Sequence, residues 1–277
     1  MEKYSVLMSV YIKENPEYLR QSLESMICQT VAPDEIILVE DGPLNDELYE
    51  TIWEFETEYP DLFKIIKLEK NGGLGNALNH GIIEARNELI ARMDSDDISL
   101  PERCEKQLRA FERHPDLAIV GAQINEFTGT TDNIVASRRV PASYREIKKF
   151  ARRRSPFNHP SVMYRKSAII SSGGYGRYRR KEDLDLFIRM VNEGYKAINL
   201  KNVYLLYRVN PGNVRRRKEW NNCREYIEIM YKFHKKGWNS IIDMLYVTAG
   251  QLVMYLAPTG IIKRLSGMFL REKPVSN

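Results

Sequence analysis

The sequence predicts an α/β protein with a mostly parallel central sheet and a helical C-terminal extension. Over roughly the first third of its 277 residues, short apolar runs alternate with segments of helical periodicity. Strict alternation of strand and helix is typical of parallel βαβ units. After about residue 210 the strand pattern stops and only helical patterns follow. We therefore expect a sheet-containing domain at residues 1–210 and a helical region at residues 211–277.

The elements of the first part follow from apolar runs and their spacing. The predicted strands are residues 6–11, 35–39, 63–68 and 88–93, and the predicted helices are residues 16–29, 46–59 and 75–86. In the first helix, Leu19, Leu23 and Met26 recur at helical spacing. These residues predict a helix face that packs on the sheet.

Beyond residue 100 the pattern is less regular. Residues 116–140 predict strands with a buried run at 118–122, residues 143–150 predict a helix, and residues 162–164 form a short apolar run. An apolar helical pattern follows Asp183, and residues 220–236 predict another helix. The last apolar stretch, residues 241–257, precedes Pro258 and Gly260, which break a helix.

Composition and charge exclude few functions. The chain is 43% hydrophobic and 29% charged, as expected for a globular protein, and its net charge of +5 fits either an anionic partner or simple solubility. Its three cysteines, Cys28, Cys104 and Cys223, are widely spaced and follow no metal-ligand pattern, so we interpret them as reduced structural thiols. The first strand begins without a signal-peptide pattern, which predicts a cytoplasmic protein.

Polar residues cluster where the predicted strands end. Tyr11 follows the first strand, the Glu40-Asp41-Gly42 run follows the second, residues 71–75 follow the third, and residues 94–97 follow the fourth. Ligands of open parallel sheets bind beyond the carboxyl ends of the strands. We therefore expect one edge of the sheet to carry the chemistry.

The acidic run after the fourth strand permits two interpretations. Asp94, Asp96 and Asp97 could form a solvated turn and helix cap before Pro101. Alternatively, carboxylates two residues apart in an extended segment could bind Mg²⁺ or Mn²⁺, which keep open positions for phosphate oxygens. The glycines at 72, 73 and 75 likewise fit either a tight turn or the approach of backbone to a phosphorylated ligand.

Four stretches resemble a known family. They are SVLMSVYIKENPEYLRQSLESMICQT, EIILVEDGP, NGGLGNALNHGIIEARNELIARMDSDDISLPER and GGYGRYRRKEDLDLFIRMVNEGY. In order and spacing they are similar to the motifs of family 2 glycosyltransferases, which are inverting enzymes with the GT-A fold, and especially to bacterial capsule and exopolysaccharide enzymes of the amylovoran type. The resemblance runs from about Tyr4 to about Arg208.

The resemblance implies a donor site. It implies that Ser9 and Tyr11 line a nucleotide pocket, and that Asp41 hydrogen-bonds the uracil edge of a UDP-sugar. Asn71 and Gly75, in the glycine-rich stretch, would belong to the same donor site. The sequence departs from the family pattern at Ile12, Glu40 and Leu78, where Asn, Asp and Arg are usual.

The resemblance also implies a metal and a base. Asp94 and Asp96 match the pair that holds Mn²⁺ or Mg²⁺ against the donor diphosphate. Asp183 matches the aspartate that acts as general base, with Glu182 beside it in the substrate site. His159 would face the acceptor or donor sugar, although a structural histidine is equally compatible with the sequence.

The implied acceptor is a saccharide, lipid-linked through undecaprenyl, in surface polysaccharide biosynthesis. Basic residues flank the apolar stretch 241–257, so we expect this stretch to lie against an anionic membrane on its cytoplasmic face. Two alternatives for the stretch are packing on the catalytic domain and an oligomer contact. No nucleic-acid partner is expected, because the sequence carries no recognised nucleic-acid-binding signature.

Two other functions fit parts of the pattern. A metal-dependent nucleotidyltransferase would share the sheet, the glycine loop and the carboxylates, but its first loop should be richer in Lys and Arg than SVYIKENPE. A non-catalytic basic module that binds membrane or nucleic acid would need only the positive charge. Release of the nucleotide product from a sugar donor separates both from a glycosyltransferase.

Overall fold

The computed structural model describes residues 1–209 and 219–257. Four features of the sequence lie outside these ranges. They are the predicted domain boundary at residue 210, the basic run at 215–218, the break at Pro258 and Gly260, and the basic residues at 263–273 that follow the apolar stretch.

The first half of the chain forms the predicted parallel unit. It consists of β1 (Tyr4–Val10), α1 (Pro16–Ile27), β2 (Glu35–Glu40), α2 (Asp46–Glu58), β3 (Phe63–Lys67), α3 (Leu74–Glu84) and β4 (Leu89–Asp94). The four strands are parallel and lie in the order β3-β2-β1-β4. The predicted strands and helices are confirmed, with ends that differ by one or two residues.

The second half extends this sheet. Its elements are β5 (Ile98–Ser99), α4 (Arg103–Arg113), β6 (Leu117–Phe127), β7 (Ile134–Arg138), α5 (Tyr144–Phe150), a short 3₁₀ helix (His159–Ser161), β8 (Met163–Arg165), α6 (Lys166–Ser171), α7 (Glu182–Asn192) and β9 (Lys196–Arg208). The full order is β3-β2-β1-β4-β8-β6-β9-β5, and β7 pairs with β6. β5, β7 and β8 are antiparallel to their neighbours, so the sheet is mixed but mostly parallel, as predicted.

Both faces of the sheet are buried. Leu7, Ile37 and Ile90 point to a core shared with α3 and α7, whereas Val6, Met8 and Leu38 point to a core shared with α1, α2 and α4. This alternation follows from the two-residue period of a strand. A parallel sheet covered by helices on both faces is the arrangement that near-continuous apolar strands favour.

Residues 219–257, the described part of the C-terminal region, are helical, as predicted. α8 (Trp220–Lys235) places Ile229 and Phe233 in the same core as α3 and α7. α9 (Ile241–Leu256) begins at a capping box formed by Ser240 and Asp243 and packs on α8. Within residues 1–209 and 219–257, every helix falls short of the length and apolar character needed to cross a bilayer.

Candidate functional site

The carboxyl ends of β1, β2 and β4 meet at one edge of the sheet. In the strand register Ser9 lies beside Asp94, and Val10 lies beside Glu40. Asp41 continues this alignment, because its backbone N–H donates to the Val10 carbonyl at 2.8 Å. Tyr11 follows β1 with 37% of its surface exposed. The structure therefore brings Ser9, Asp41 and Asp94 to the edge at which the sequence predicts them.

The glycine loop is held over this edge by Asp41. The backbone N–H groups of Gly72 and Gly73 donate to the two oxygens of the Asp41 carboxylate at 2.7 and 3.0 Å. The Asn71 side-chain amide donates to the Asp41 carbonyl at 3.1 Å. Gly73 has φ of +89°, which favours glycine, and it precedes α3 without a capping side chain. Each Asp41 oxygen retains a second lone pair for a ligand donor.

The acidic run after β4 forms a compact cluster. One carboxylate oxygen from each of Asp94, Asp96 and Asp97 lies within 4.8 Å of the others. Arg208, at the end of β9, holds the cluster in place: its backbone N–H donates to Asp97 at 2.9 Å, and its guanidinium donates to the Asp96 carbonyl at 2.8 Å. The Ser22 hydroxyl of α1 donates to the Asp94 carbonyl at 2.7 Å. The turn at residues 95–96 is thus held in place by contacts from α1 and β9.

A buried arginine lies beside the cluster. Arg92 is 1% exposed and donates from Nη2 to the Asp94 carboxylate. Among the described residues, its Nε and Nη1 have no hydrogen-bond partner. Arg92 precedes Asp94 by two residues in β4, so both side chains lie on the same face of the sheet. Its charge offsets part of the repulsion among the three carboxylates.

The residues of the cluster fit a divalent cation. Burial, with the charges of Asp94 and Glu14, raises the pKa of Asp96 to about 7. Burial and the neighbouring carboxylates also raise the pKa of Asp97 well above its usual range. Asp97 Oδ2 is buried and has no hydrogen-bond partner among the described residues. Asp94 and Asp96 are half-buried, and a close set of carboxylate oxygens with excess negative charge is what Mg²⁺ or Mn²⁺ binds. The structure adds Asp97 to the predicted pair Asp94 and Asp96.

The raised pKa of Asp96 predicts a dependence of stability on pH in metal-free buffer. Between the unfolded pKa near 3.9 and the folded pKa of about 7, the folded state binds a proton that the unfolded chain releases. Stability should therefore fall as pH rises from 6 to 8, by about 1 kcal/mol from this group. Thermal unfolding with EDTA measures the slope.

Two comparisons assign that slope to Asp96. The Asp96→Asn variant should lose this part of the slope, and Mn²⁺ at pH 8 should restore stability to the unchanged chain by binding the folded state. An identical pH slope in the two proteins would show that Asp96 titrates as an ordinary surface acid.

The start of α7 forms a second wall of the site, where it packs on α3 beside the glycine loop. Glu182 is buried and packs on Gly75 of α3, where an added Cβ would lie 3.2 Å from that of Glu182. Burial, reinforced by the charge of Asp183, raises the pKa of Glu182 to about 8. Asp183 is half-buried in the first turn of α7. The dipeptide therefore presents one carboxyl that holds its proton at pH 7 beside a more accessible carboxylate.

His159 lies beside this wall. Its Nε2 is 2.8 Å from the Tyr175 hydroxyl, and its ring contacts those of Tyr175 and Phe187 at centroid distances of 5.4 and 5.6 Å. Burial and the charge of Arg92 lower the pKa of His159 well below its usual range. His159 is therefore a neutral side chain, positioned by Tyr175.

Arg92 links the two walls. Its charge opposes the rise in the pKa of both Asp96 and Glu182, so it acts on the acidic cluster and on the start of α7. Beside them, a cavity of about 300 Å³ lies between the glycine loop and residues 175–179. Its lining includes Asn76, Asn79, Arg177 and Arg179. The site thus combines carboxylic acids, the buried guanidinium of Arg92 and an open polar cavity.

Sequence reasoning missed four contributors to this site. They are Arg92, Asp97 as a candidate third metal ligand, Tyr175 and Arg208. Arg92 carried a usable signal, because a charged residue in an apolar strand, two positions before Asp94, must share its face. Arg208 carried none, since it lies 112 residues beyond Asp96 and arrives through the pairing of β9 with β6 and β5.

Comparisons with known proteins agree on one family. The family model described as glycosyl transferase family 2 matches residues 5–175. An uncharacterized glycosyltransferase of Haemophilus influenzae is 42% identical over 98% of this chain and 100% of its own length. The amylovoran biosynthesis glycosyltransferase AmsE of Erwinia amylovora is 40% identical, with 82% and 84% covered. A UDP-Gal:alpha-D-GlcNAc-diphosphoundecaprenol beta-1,3-galactosyltransferase of Escherichia coli is 34% identical, with 93% and 92% covered.

Solved structures share the fold. TarS residues 1–349 of S. aureus in complex with UDP-GlcNAc match with a TM-score of 0.64 at 18% identity, covering 96% of this chain and 75% of that one. The mannosyltransferase PcManGT of Pyrobaculum calidifontis, in complex with GDP-Man and Mn²⁺, matches with a TM-score of 0.65 at 14% identity and the same coverage. The chain spans 44% of the longer TarS chain. These matches show the GT-A fold, and together with the sequence relatives they establish that the chain belongs to glycosyl transferase family 2.

Proposed function

We propose that the chain is a metal-dependent, inverting glycosyltransferase that transfers a sugar from a UDP-sugar to a lipid-linked saccharide. One observation carries the proposal. The acidic cluster lies at the end of β4, and the Glu182-Asp183 dipeptide packs on Gly75 beside the glycine loop that Asp41 holds over the same edge of the sheet. A site with separate acidic groups can hold a diphosphate through a cation on one side and deprotonate an acceptor on the other.

The acidic cluster would hold the cation. Asp94, Asp96 and Asp97 supply the carboxylate oxygens, and a bound Mg²⁺ or Mn²⁺ would stabilise the negative charge that develops on the departing diphosphate. Arg208 and Ser22 keep the run in the shape that gathers these oxygens. Before a cation binds, Arg92 reduces the repulsion among the three carboxylates, because it neutralises part of their charge.

The start of α7 would bind the acceptor and remove its proton. Asp183 is the accessible carboxylate of the dipeptide and takes the proton of the attacking hydroxyl, a role that typically gives about 10²- to 10⁴-fold in rate. Glu182 retains its proton at pH 7, since its pKa is about 8, and can therefore donate a hydrogen bond. A single displacement of this kind inverts the anomeric configuration. His159 would orient a sugar hydroxyl from its place beside Tyr175.

The donor nucleotide is proposed as UDP. Asp41 lies with Ser9 and Tyr11 at the ends of β1 and β2, Asn71 lies in the loop above them, and Gly75 lies in the first turn of α3. A carboxylate with free lone pairs can accept the N–H of uracil. The E. coli relative is named for UDP-Gal, and the TarS structure contains UDP-GlcNAc, which support the same donor class here.

The acceptor is proposed as an undecaprenyl-linked saccharide in surface polysaccharide biosynthesis. The E. coli relative is named for a diphosphoundecaprenol acceptor, and the relatives AmsE and WbnJ are named for amylovoran and O-antigen biosynthesis. With such an acceptor the chain would work in the cytoplasm, at the inner face of the cytoplasmic membrane. We also propose residues 1–210 as the catalytic domain and residues 211–277 as a C-terminal region that serves this location.

A donor screen tests the proposed function. The purified chain is incubated with UDP-, GDP- and dTDP-sugars and Mn²⁺, without acceptor, and the released nucleotide is measured. We expect UDP from at least one UDP-sugar and none in excess EDTA. In a parallel incubation with a nucleoside triphosphate and a sugar 1-phosphate, release of pyrophosphate would instead identify a nucleotidyltransferase. Failure of the chain to bind or cleave any nucleotide-sugar would leave the non-catalytic binding module as the remaining function.

A further inference from the structure

Helix α9 turns its charged residue toward the protein and its apolar residues toward solvent, which is the reverse of a helix on the surface of a water-soluble protein. Its one charged residue, Asp243, is 4% exposed and forms ion pairs at 2.6 Å with Arg152 and Arg153. Asp243 also closes the capping box with Ser240. These contacts fix the rotation of the helix, so that its charged side chain points to the protein and its apolar side chains point outward.

The outward side chains form a broad apolar surface, which we call the outer face. Its members are Ile241, Ile242, Leu245, Tyr246, Ala249, Gly250, Leu252, Val253, Tyr255 and Leu256, all exposed and all uncharged. Ile242 and Leu256 are 69% and 74% exposed. At about 100° per residue these positions span about 220° of the helix circumference. Monomeric soluble proteins rarely expose so continuous an apolar surface.

Basic and aromatic side chains border the outer face. The Arg153 guanidinium lies 4.7 Å from the centroid of the Tyr246 ring, and the Arg152 side chain is 48% exposed. Lys235 and Lys236 are exposed where α8 ends, just before the turn into α9. Trp220, which is 45% exposed, packs its ring 5.2 Å from that of Tyr255. Tyr and Trp favour the boundary between water and lipid, and Lys and Arg favour anionic headgroups.

We infer that the outer face of α9 docks on an anionic lipid bilayer, with the helix lying in the plane of the headgroups. The width of the face favours lipid over a protein helix, because a partner helix needs an apolar stripe of only about 100°. The length agrees, since 16 residues of helix extend about 24 Å, less than the ~30 Å hydrocarbon core. The charges agree as well, because the nearby exposed cations complement anionic lipid. The inference does not depend on the proposed activity.

Vesicle sedimentation of the full chain tests this inference without any transfer reaction. We expect binding to vesicles of phosphatidylcholine with phosphatidylglycerol, weaker binding to phosphatidylcholine alone, and weakening by salt because the Debye length is only ~8 Å at physiological ionic strength. The Leu245→Glu and Val253→Glu variants should each reduce partitioning about tenfold or more, since each removes a buried apolar side chain from the bound state.

The matched control places the same charge elsewhere. Ile170 of α6 is 50% exposed and lies outside α9, so Ile170→Glu should leave vesicle binding unchanged. Thermal unfolding and UDP binding confirm that each variant is folded. Lipids with brominated chains give a second readout on folded protein: they should quench Trp220, so the quenching should decrease in Trp220→Phe and be unchanged in Trp53→Phe.

Three results would overturn the inference. The first is failure of the full chain to bind anionic vesicles at low salt. The second is equal binding by the unchanged chain and the Leu245→Glu variant, which would place the contact on another surface. The third is a lipid-free dimer in analytical ultracentrifugation that Leu245→Glu dissociates and that ignores vesicles, which would make the outer face an interface between two copies.

Discussion

Replacing Asp183 by asparagine should lower kcat by about 10²- to 10⁴-fold and leave the affinity for UDP nearly unchanged. The amide has the size of the carboxylate but cannot take the proton of the acceptor hydroxyl. The donor contacts are proposed for Asp41 and the acidic cluster, at other points of the site. Steady-state kinetics with acceptor and calorimetry with UDP measure the two quantities.

The control for this prediction is Asp61→Asn. Asp61 is exposed and precedes β3, so it lies at the amino-terminal end of that strand, away from the site. The same chemical change there should affect neither kcat nor UDP binding. A loss of UDP affinity in Asp183→Asn with kcat retained would assign Asp183 to the donor and contradict its role as base.

Replacing Asp96 by asparagine should lower metal-dependent transfer by about 10³-fold or more, because a metal ion contributes several kcal/mol to the transition state. The fold should survive. Burial and the neighbouring acids disfavour the ionised Asp96 carboxylate, so its removal takes away repulsion rather than a supporting contact. Mn²⁺ titration by calorimetry, thermal unfolding and transfer rates give the three readouts.

Asp116→Asn is the matched control for the metal. Asp116 is exposed just before β6, away from the acidic cluster, so Mn²⁺ affinity and transfer should equal those of the unchanged chain. Full activity of Asp96→Asn, or of the unchanged chain in excess EDTA, would contradict a metal at this site.

The parallel half of the fold could be predicted from the sequence because each buried strand is a recognisable apolar run. β1, β2 and β4 are apolar runs bounded by turns, and α1 shows its buried residues at helical spacing. Parallel direction and the adjacency of β1, β2 and β3 then follow from the short right-handed connections between such units, whereas β4 returns to the other side of β1. The strand ends place the acidic run and the glycine loop at one edge, which is how the candidate site could be located.

The second half could not be predicted in the same way. α4 buries Arg103 and Gln107 beside its apolar residues, because their side chains hydrogen-bond backbone carbonyls of β4, β6 and Val162. Apolar spacing alone therefore does not reveal its whole buried face. β9 has register shifts against β6 that interrupt its alternation. β5 is only two residues long and exists because β9 pairs with it. These elements depend on tertiary contacts, which local patterns do not encode.

The residues of the site also divide into those that local sequence predicts and those that it does not. Asp94 and Asp96 could be predicted because local spacing and a resemblance point to them. Arg92 and Arg208 act on the cluster through a buried charge and a distant strand, which become visible only in the folded chain.

The configuration of the product tests the central claim most directly. A single displacement on a UDP-sugar, with Asp183 as base and the diphosphate held at the acidic cluster, must invert the anomeric carbon. Proton NMR of the purified product, made from an α-linked UDP-sugar that the donor screen identifies, should show a β-linkage through the coupling constant of its anomeric proton. An α-linkage would show retention and contradict the proposed mechanism.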